Sequence, residues 1–223
     1  MGSRIMHYCI ASLLADKLKP EPRSDFLLGG IAPDIHGLMG VPKGKTHFKD
    51  LDENGKNRIN LDRFLHTYET RLAEPFYLGY LCHLISDQVW LAFYLEKVAY
   101  VSREQWQADL EKSYRDFNRL NGRIIKLYEL KLSPLTVPLF EIEGYDQTYL
   151  PTLIDELALD FQLDASLETE KLEIYKNHNQ EITSYINQAV NSCLKILSNQ
   201  VGITINQHFP SFFHSKSINS KRE

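Results

Sequence analysis

His83 and Asp87 stand one helical turn apart in a stretch, Pro75 to Tyr100, that is apolar on nearly every side. The i, i+4 spacing puts an imidazole and a carboxylate on one face of a helix. Burying an ionised aspartate without a partner costs on the order of several kcal/mol, so something must neutralise it. A divalent metal ion would do so and would use the histidine as well. A buried His–Asp hydrogen bond that stiffens the core would also do so, and the pair alone leaves both readings open.

Three further residues widen the set. His7 lies at the edge of an apolar stripe, with Ile10 and Leu14 at i+3 and i+7, and can face the core. Asp34 sits in Ala-Pro-Asp, just past a proline that stops a helix, where a carboxylate can be held at an interior rim. His47 sits in KGKTHFKD, beside a Phe48 able to anchor its loop to the core. Taken singly, each has a plainer reading: a satisfied core histidine, a turn aspartate, a surface-loop histidine. Together they form a nitrogen and oxygen ligand set of three histidines and two carboxylates. That set suits zinc, or manganese or iron, and not a structural cysteine site. A carboxylate can bridge two ions, and paired ions clamp the attacking and leaving oxygens of a phosphoryl centre. Lys43, Lys45 and Lys49 flank His47 and could steer an anion or simply be solvated. His36 and His66 are candidates for extra ligands or supporting donors, and Tyr8 and Tyr80 for donors to a substrate oxygen.

These residues need helices to hold them. Ser3 can cap a first helix through Ile5, Met6, Cys9, Ile10, Leu13 and Leu14, ending before Pro20 and Pro22. Ser24 or Asp25 can start a second from Phe26 to about Ile31. A long loop is expected from Asp34 to Asn57, and a loop of that length in a compact domain is more often functional than idle. Asn60 or Asp62 starts a third helix. Pro75 sits well at the first position of a fourth, which should form the centre of the domain. Ser102 with Gln105 makes a capping box for a fifth. Asn121-Gly122 is expected to break that helix, with a shorter one from Arg123 to Leu130. An irregular stretch should follow from Leu132 to Tyr149, then helices over Pro151–Leu163 and Leu167–Ser198. The expectation is a single all-α domain over residues 1–207 and a flexible tail over 208–223.

Of the residues, 43% are hydrophobic and 24% charged, enough apolar side chains for a substantial core. The net charge of -4 argues against a nucleic-acid partner recognised by broad electrostatics. Cys9, Cys82 and Cys193 show no metal-ligand spacing and sit in apolar helical patterns, as small buried hydrophobes do. The N-terminal stretch does not read as a signal peptide, and the longest apolar run is interrupted by His83, Ser86, Asp87 and Gln88. No transmembrane segment and a cytoplasmic location are therefore expected; oligomeric state is unknown.

Four motifs in order, MHY at His7, IAPD at Asp34, KTHF at His47 and GYLCHLISDQVW from Gly79 to Trp90, resemble the zinc-dependent phospholipase C family. That all-helical family is related to the fungal and plant single-strand nucleases, and the likeness covers roughly the first hundred residues. The resemblance implies that Asp34, His47, His83 and Asp87 bind one metal ion. It further implies that His7, with Asp87 as a bridge, binds a second, and that a water between them is the nucleophile. Asp34 and Asp87 would be the catalytic carboxylates. The family also has a downstream His-x-x-x-Glu for a third zinc. Here the next histidine after Asp87 is His178, and no His-x-x-x-Glu occurs. Two ions are therefore expected rather than three, with Glu129, Glu141, Glu143 and His178 as open substitutes.

The expected function is thus a metal-dependent hydrolase of phosphodiester bonds, acting on a small phosphoester or a phospholipid. One alternative is an HD-type phosphohydrolase, although no adjacent His-Asp pair is present. The other is a non-catalytic helical module holding a structural metal.

Overall fold

A computed structural model describes residues 2–53, 55–98, 100–162, 170–175 and 178–202, without the side chains at 178, 179 and 200. It is all-α apart from one short hairpin. Helix α1 (Arg4–Leu18) starts where expected: the Ser3 hydroxyl accepts from the Met6 amide at 3.2 Å. Helix α2 (Arg23–Gly29) begins at Pro22 instead of at Ser24 or Asp25. Pro33 does not merely stop α2. It opens a 3-10 helix, Ala32–Gly37, because its fixed φ suits a first turn that needs no amide donor.

The expected long loop from Asp34 to Asn57 is a chain of small elements instead. The 3-10 helix is followed by α3 (Lys43–Thr46), then by β1 (Lys49–Leu51) paired antiparallel with β2 (Asn57–Ile59). Asp50 faces Arg58 in the register. Three-residue strands and one-turn helices carry too little periodicity to be read from a pattern.

Helix α4 (Leu61–Thr67) is capped by Asn60, whose side chain accepts from the Arg63 amide. Helix α5 (Pro75–Lys97) is the central helix, with Pro75 at its first position. It packs on α2, α8 and α1. The α2–α5 crossing is close because glycines meet there. A Cβ on Gly79 would stand 2.1 Å from the Phe26 carbonyl oxygen, and one on Gly29 would stand 2.1 Å from that of Phe76. Only hydrogen side chains let these two backbones touch.

Helix α6 (Arg103–Leu127) starts at the Ser102 cap and runs straight through Asn121-Gly122. The expected break does not occur, because Asn121 is buried and its Oδ1 accepts from the Ser3 hydroxyl at 2.7 Å. A tertiary contact at the head of α1 outweighs the turn preference of that dipeptide. Residues 132–146 are irregular, as expected, and are fastened by tyrosines: Tyr8 to Lys131 and Ser133, Tyr77 to Glu141. Helix α7 (Leu150–Asp160) follows.

The last helix, α8 (His178–Gln200), begins well after Leu167. Residues 170–175 are not helical. Buried Asp116 accepts the amides of Glu173, Ile174 and Tyr175, which holds them in an extended turn. Leu163, Leu167 and the tail at 208–223 lie outside the described residues. All three cysteines are free and buried. Among the described residues, no helix is long and apolar enough to cross a membrane.

Candidate metal centre

The five residues singled out in the sequence come together in one buried cluster. His7 comes from α1, Asp34 from the 3-10 helix, His47 from the end of α3, and His83 and Asp87 from α5. Two groups of three have donor atoms close enough to share an ion: His7, His83 and Asp87, and Asp34, His47 and His83. His7, His47, His83 and Asp87 are almost wholly buried, and only Asp34 reaches the surface, with 13% of its side chain exposed.

Hydrogen bonds around the cluster fix which nitrogen of each histidine carries its proton. His83 Nδ1 lies 2.9 Å from the Gly30 carbonyl oxygen, which can only accept, so Nδ1 is the protonated nitrogen. The Thr46 hydroxyl gives its single proton to the Pro33 carbonyl at 2.7 Å. It must therefore accept from His47 Nδ1 at 2.9 Å. Ser86 gives its proton to the His83 carbonyl at 2.8 Å, and so accepts from His7 Nδ1 at 3.2 Å. In each case the Nε2 atom carries a lone pair, and all three Nε2 atoms point inward.

These lone pairs face one another and the carboxylates. His47 Nε2 and His83 Nε2 are 3.2 Å apart. Asp87 Oδ1 lies 3.3 Å from His7 Nε2, and Asp87 Oδ2 lies 3.4 Å from His47 Nε2. Asp34 Oδ1 lies 3.6 Å from His47 Nε2 and 3.8 Å from His83 Nε2. Despite these distances His7 Nε2 and both oxygens of Asp87 have no hydrogen-bond partner. Buried acceptors that meet acceptors are costly and call for a cation between them. The one positive charge that reaches both carboxylates, among the described residues, is Lys43. Its Nζ is 3.4 Å from Asp34 Oδ1 and 3.6 Å from Asp87 Oδ2.

The protonation states suit a ligand set. Burial pushes the His47 pKa down to about 4, and Lys43 adds to the effect against the pull of the two aspartates. Burial, with His7 stacked on it at 3.8 Å, takes His83 well below the ordinary histidine value. Burial would raise both aspartates, but the Lys43 ammonium beside them outweighs it and holds them well below the usual carboxylate range. At neutral pH His47 and His83 are therefore neutral and both aspartates ionised, the forms in which these side chains bind metal.

Two clefts border the cluster, and the cluster is exposed only to the one at Asp34. One, of about 360 Å³, is largely polar and includes Asp34, Lys43, His36, Arg4 and Asn121. The other, of about 430 Å³, includes Asp87 and is lined mainly by apolar side chains such as Trp90, Leu91, Leu95, Trp106 and Leu110. Tyr114 borders both.

Several secondary candidates do not reach the centre. Tyr8 and Tyr80 spend their hydroxyls on backbone carbonyls, Tyr80 on that of Thr46 at 2.5 Å, so they hold segments in place and face no substrate. His66, Glu129, Glu141 and Glu143 are exposed and join neither donor group. The His178 side chain lies outside the description. His36 packs edge-on against the His47 ring at 5.4 Å and lines the polar cleft. Lys45 is exposed, and Lys49 lines the apolar cleft.

Sequence reasoning missed Thr46, Ser86 and the Gly30 carbonyl as the groups that orient the histidines. The hydroxyls carried a signal: Thr46 sits next to His47 and Ser86 next to Asp87. Lys43, noted only as a flanking charge, is one helical turn before His47, and the His47 amide bonds its carbonyl at 3.0 Å. Comparison of the chain with protein-family models, curated proteins and solved structures gave no match.

Proposed function

We propose that the chain is a metal-dependent hydrolase of phosphodiester bonds, similar in chemistry to the zinc-dependent phospholipases C. His7, Asp34, His47, His83 and Asp87 would hold zinc, or manganese or iron. The observation that carries this reading is the set of three inward Nε2 lone pairs facing two ionised carboxylates, with buried acceptors left unpartnered. The two oxygens of Asp87 face different histidines, Oδ1 towards His7 and Oδ2 towards His47, which favours a bridging role and two ions. Ions held there would supply Lewis-acid polarisation of a phosphoryl oxygen and a water of lowered pKa.

The chain's own residues would do the rest. Gly30, Thr46 and Ser86 keep the imidazoles oriented, and Asp34, at the mouth of the polar cleft, would orient a water there. The opening at Asp34 favours catalysis over a structural role, since structural metal sites are closed. A polar cleft next to an apolar one suits a phosphoester with an apolar arm, as in a phospholipid.

The test is metal analysis of protein purified without added metal, followed by assay of the loaded protein. The assay would use an aryl phosphodiester and phospholipid vesicles. About two equivalents of metal with turnover would support the reading. Metal without turnover of either substrate would leave the structural-module alternative. A folded protein that takes up no metal would overturn the reading altogether.

A further inference from the structure

Lys43 is an unusual neighbour for metal ligands. Its side chain is only 17% exposed, and its ammonium lies within 3.6 Å of both carboxylates that a bound ion would need. It borders the polar cleft, so it has somewhere to go. With Asp87 and Asp34 ionised in a buried setting, removing this charge from the metal-free centre would leave two carboxylates and three lone pairs with no counter-charge. A lysine and a divalent ion cannot both sit close to the same carboxylate oxygens without strong repulsion.

We propose that Lys43 is an internal competitor for the metal. It is the resident cation of the metal-free centre, and an ion that draws on both Asp34 and Asp87 must expel its ammonium into the polar cleft. The inference rests on the metal-centre reading above. Its consequence is that metal affinity is set below what the ligand set would give, while the metal-free protein remains folded. Such opposition between two ligands of one site is a negative coupling, and it is reciprocal.

The experiment titrates zinc into metal-free wild type, Lys43→Met, Lys43→Arg and Lys45→Met, read by calorimetry. Lys45→Met removes an equal charge from the same short helix at an exposed position. Lys43→Met is expected to bind zinc about tenfold or more tightly, the scale of a typical coupling between opposed ligands. Lys43→Arg and Lys45→Met are expected to stay close to wild type. If Lys43→Met does not fold without metal, the wild-type protein gives a second readout. Acylation of amines followed by peptide mass spectrometry should show Lys43 more reactive with zinc bound than without, while Lys45 is unchanged. Equal tightening in Lys43→Met and Lys45→Met would overturn the proposal in favour of general charge repulsion. So would unchanged affinity, or a Lys43 that zinc does not expose. Failure of all variants and wild type to bind zinc would instead remove the metal centre itself.

Discussion

Asp87 has two buried oxygens without a hydrogen-bond partner, each facing a histidine lone pair. In the metal-free protein its charge is offset by Lys43, whose ammonium lies 3.6 Å from Oδ2 and holds the carboxyl well below the usual range. Asp87→Asn would remove that charge. The variant is expected to lose metal binding and, with Lys43 left facing one carboxylate fewer, to be less stable than the metal-free wild type by about 1–3 kcal/mol. Denaturant melts with and without zinc check this; a variant that keeps the wild-type response to zinc would show that Asp87 holds no ion. Acid should act on the same residues. An unfolded histidine takes its proton near 6.5, whereas folded His47 resists until about 4. Between those values the unfolded state binds more protons, so the metal-free protein should lose stability as pH falls from about 6.5 to 4. For His47 alone the loss is on the order of 3 kcal/mol. His47→Gln should flatten that part of the pH profile in calorimetric melts; an unchanged slope would place the proton uptake elsewhere.

At the scale of elements, the site depends on how closely α2 and α5 approach. Their contact at Gly29 and Gly79 brings the Gly30 carbonyl within 2.9 Å of His83 Nδ1. Gly79→Ala would push the helices apart, since its Cβ would meet the Phe26 carbonyl at 2.1 Å. The expected cost is about 1–3 kcal/mol of stability, the usual range for overpacking, together with weaker metal binding as His83 loses its orienting partner. Zinc titration of the folded variant separates the two effects, and wild-type affinity would show that the carbonyl does not matter. α1 and α5 are legible in the sequence because their caps, Ser3 and Pro75, and their apolar residues agree over several turns. The 3-10 helix, α3 and the hairpin are not, since each is shorter than the period needed to recognise it. The unbroken α6 is hidden for another reason: only the distant hydroxyl of Ser3 makes Asn121 a buried acceptor instead of a turn residue. The five cluster residues are legible as types able to bind metal, but their convergence depends on packing that no single segment encodes.

Taken as a whole, the molecule divides its labour along the chain. Every cluster residue lies between positions 7 and 87, while the later segments cover and brace the centre. Helix α8 lies along α5, where Tyr185 reaches the Ser86 carbonyl at 3.5 Å, and α6 supplies the Tyr114 wall shared by both clefts. Because the cluster residues belong to α1, the 3-10 helix, α3 and α5, an ion bound there would join four elements that are otherwise held by packing. Binding to the folded state alone stabilises by about 4 kcal/mol at a thousandfold excess over Kd. Chelation should therefore lower the melting temperature, and the effect should not be spread evenly. Hydrogen exchange in zinc is expected to slow most in the first turns of α1, in the 3-10 helix and in α3, since the stretch of α5 around His83 and Asp87 is already buried. The amides of α7, which contribute no ligand, should change least. Uniform slowing across the chain would mean that the ion acts only on global unfolding. Slowing confined to α7 and α8 would mean that the ion binds somewhere other than this cluster.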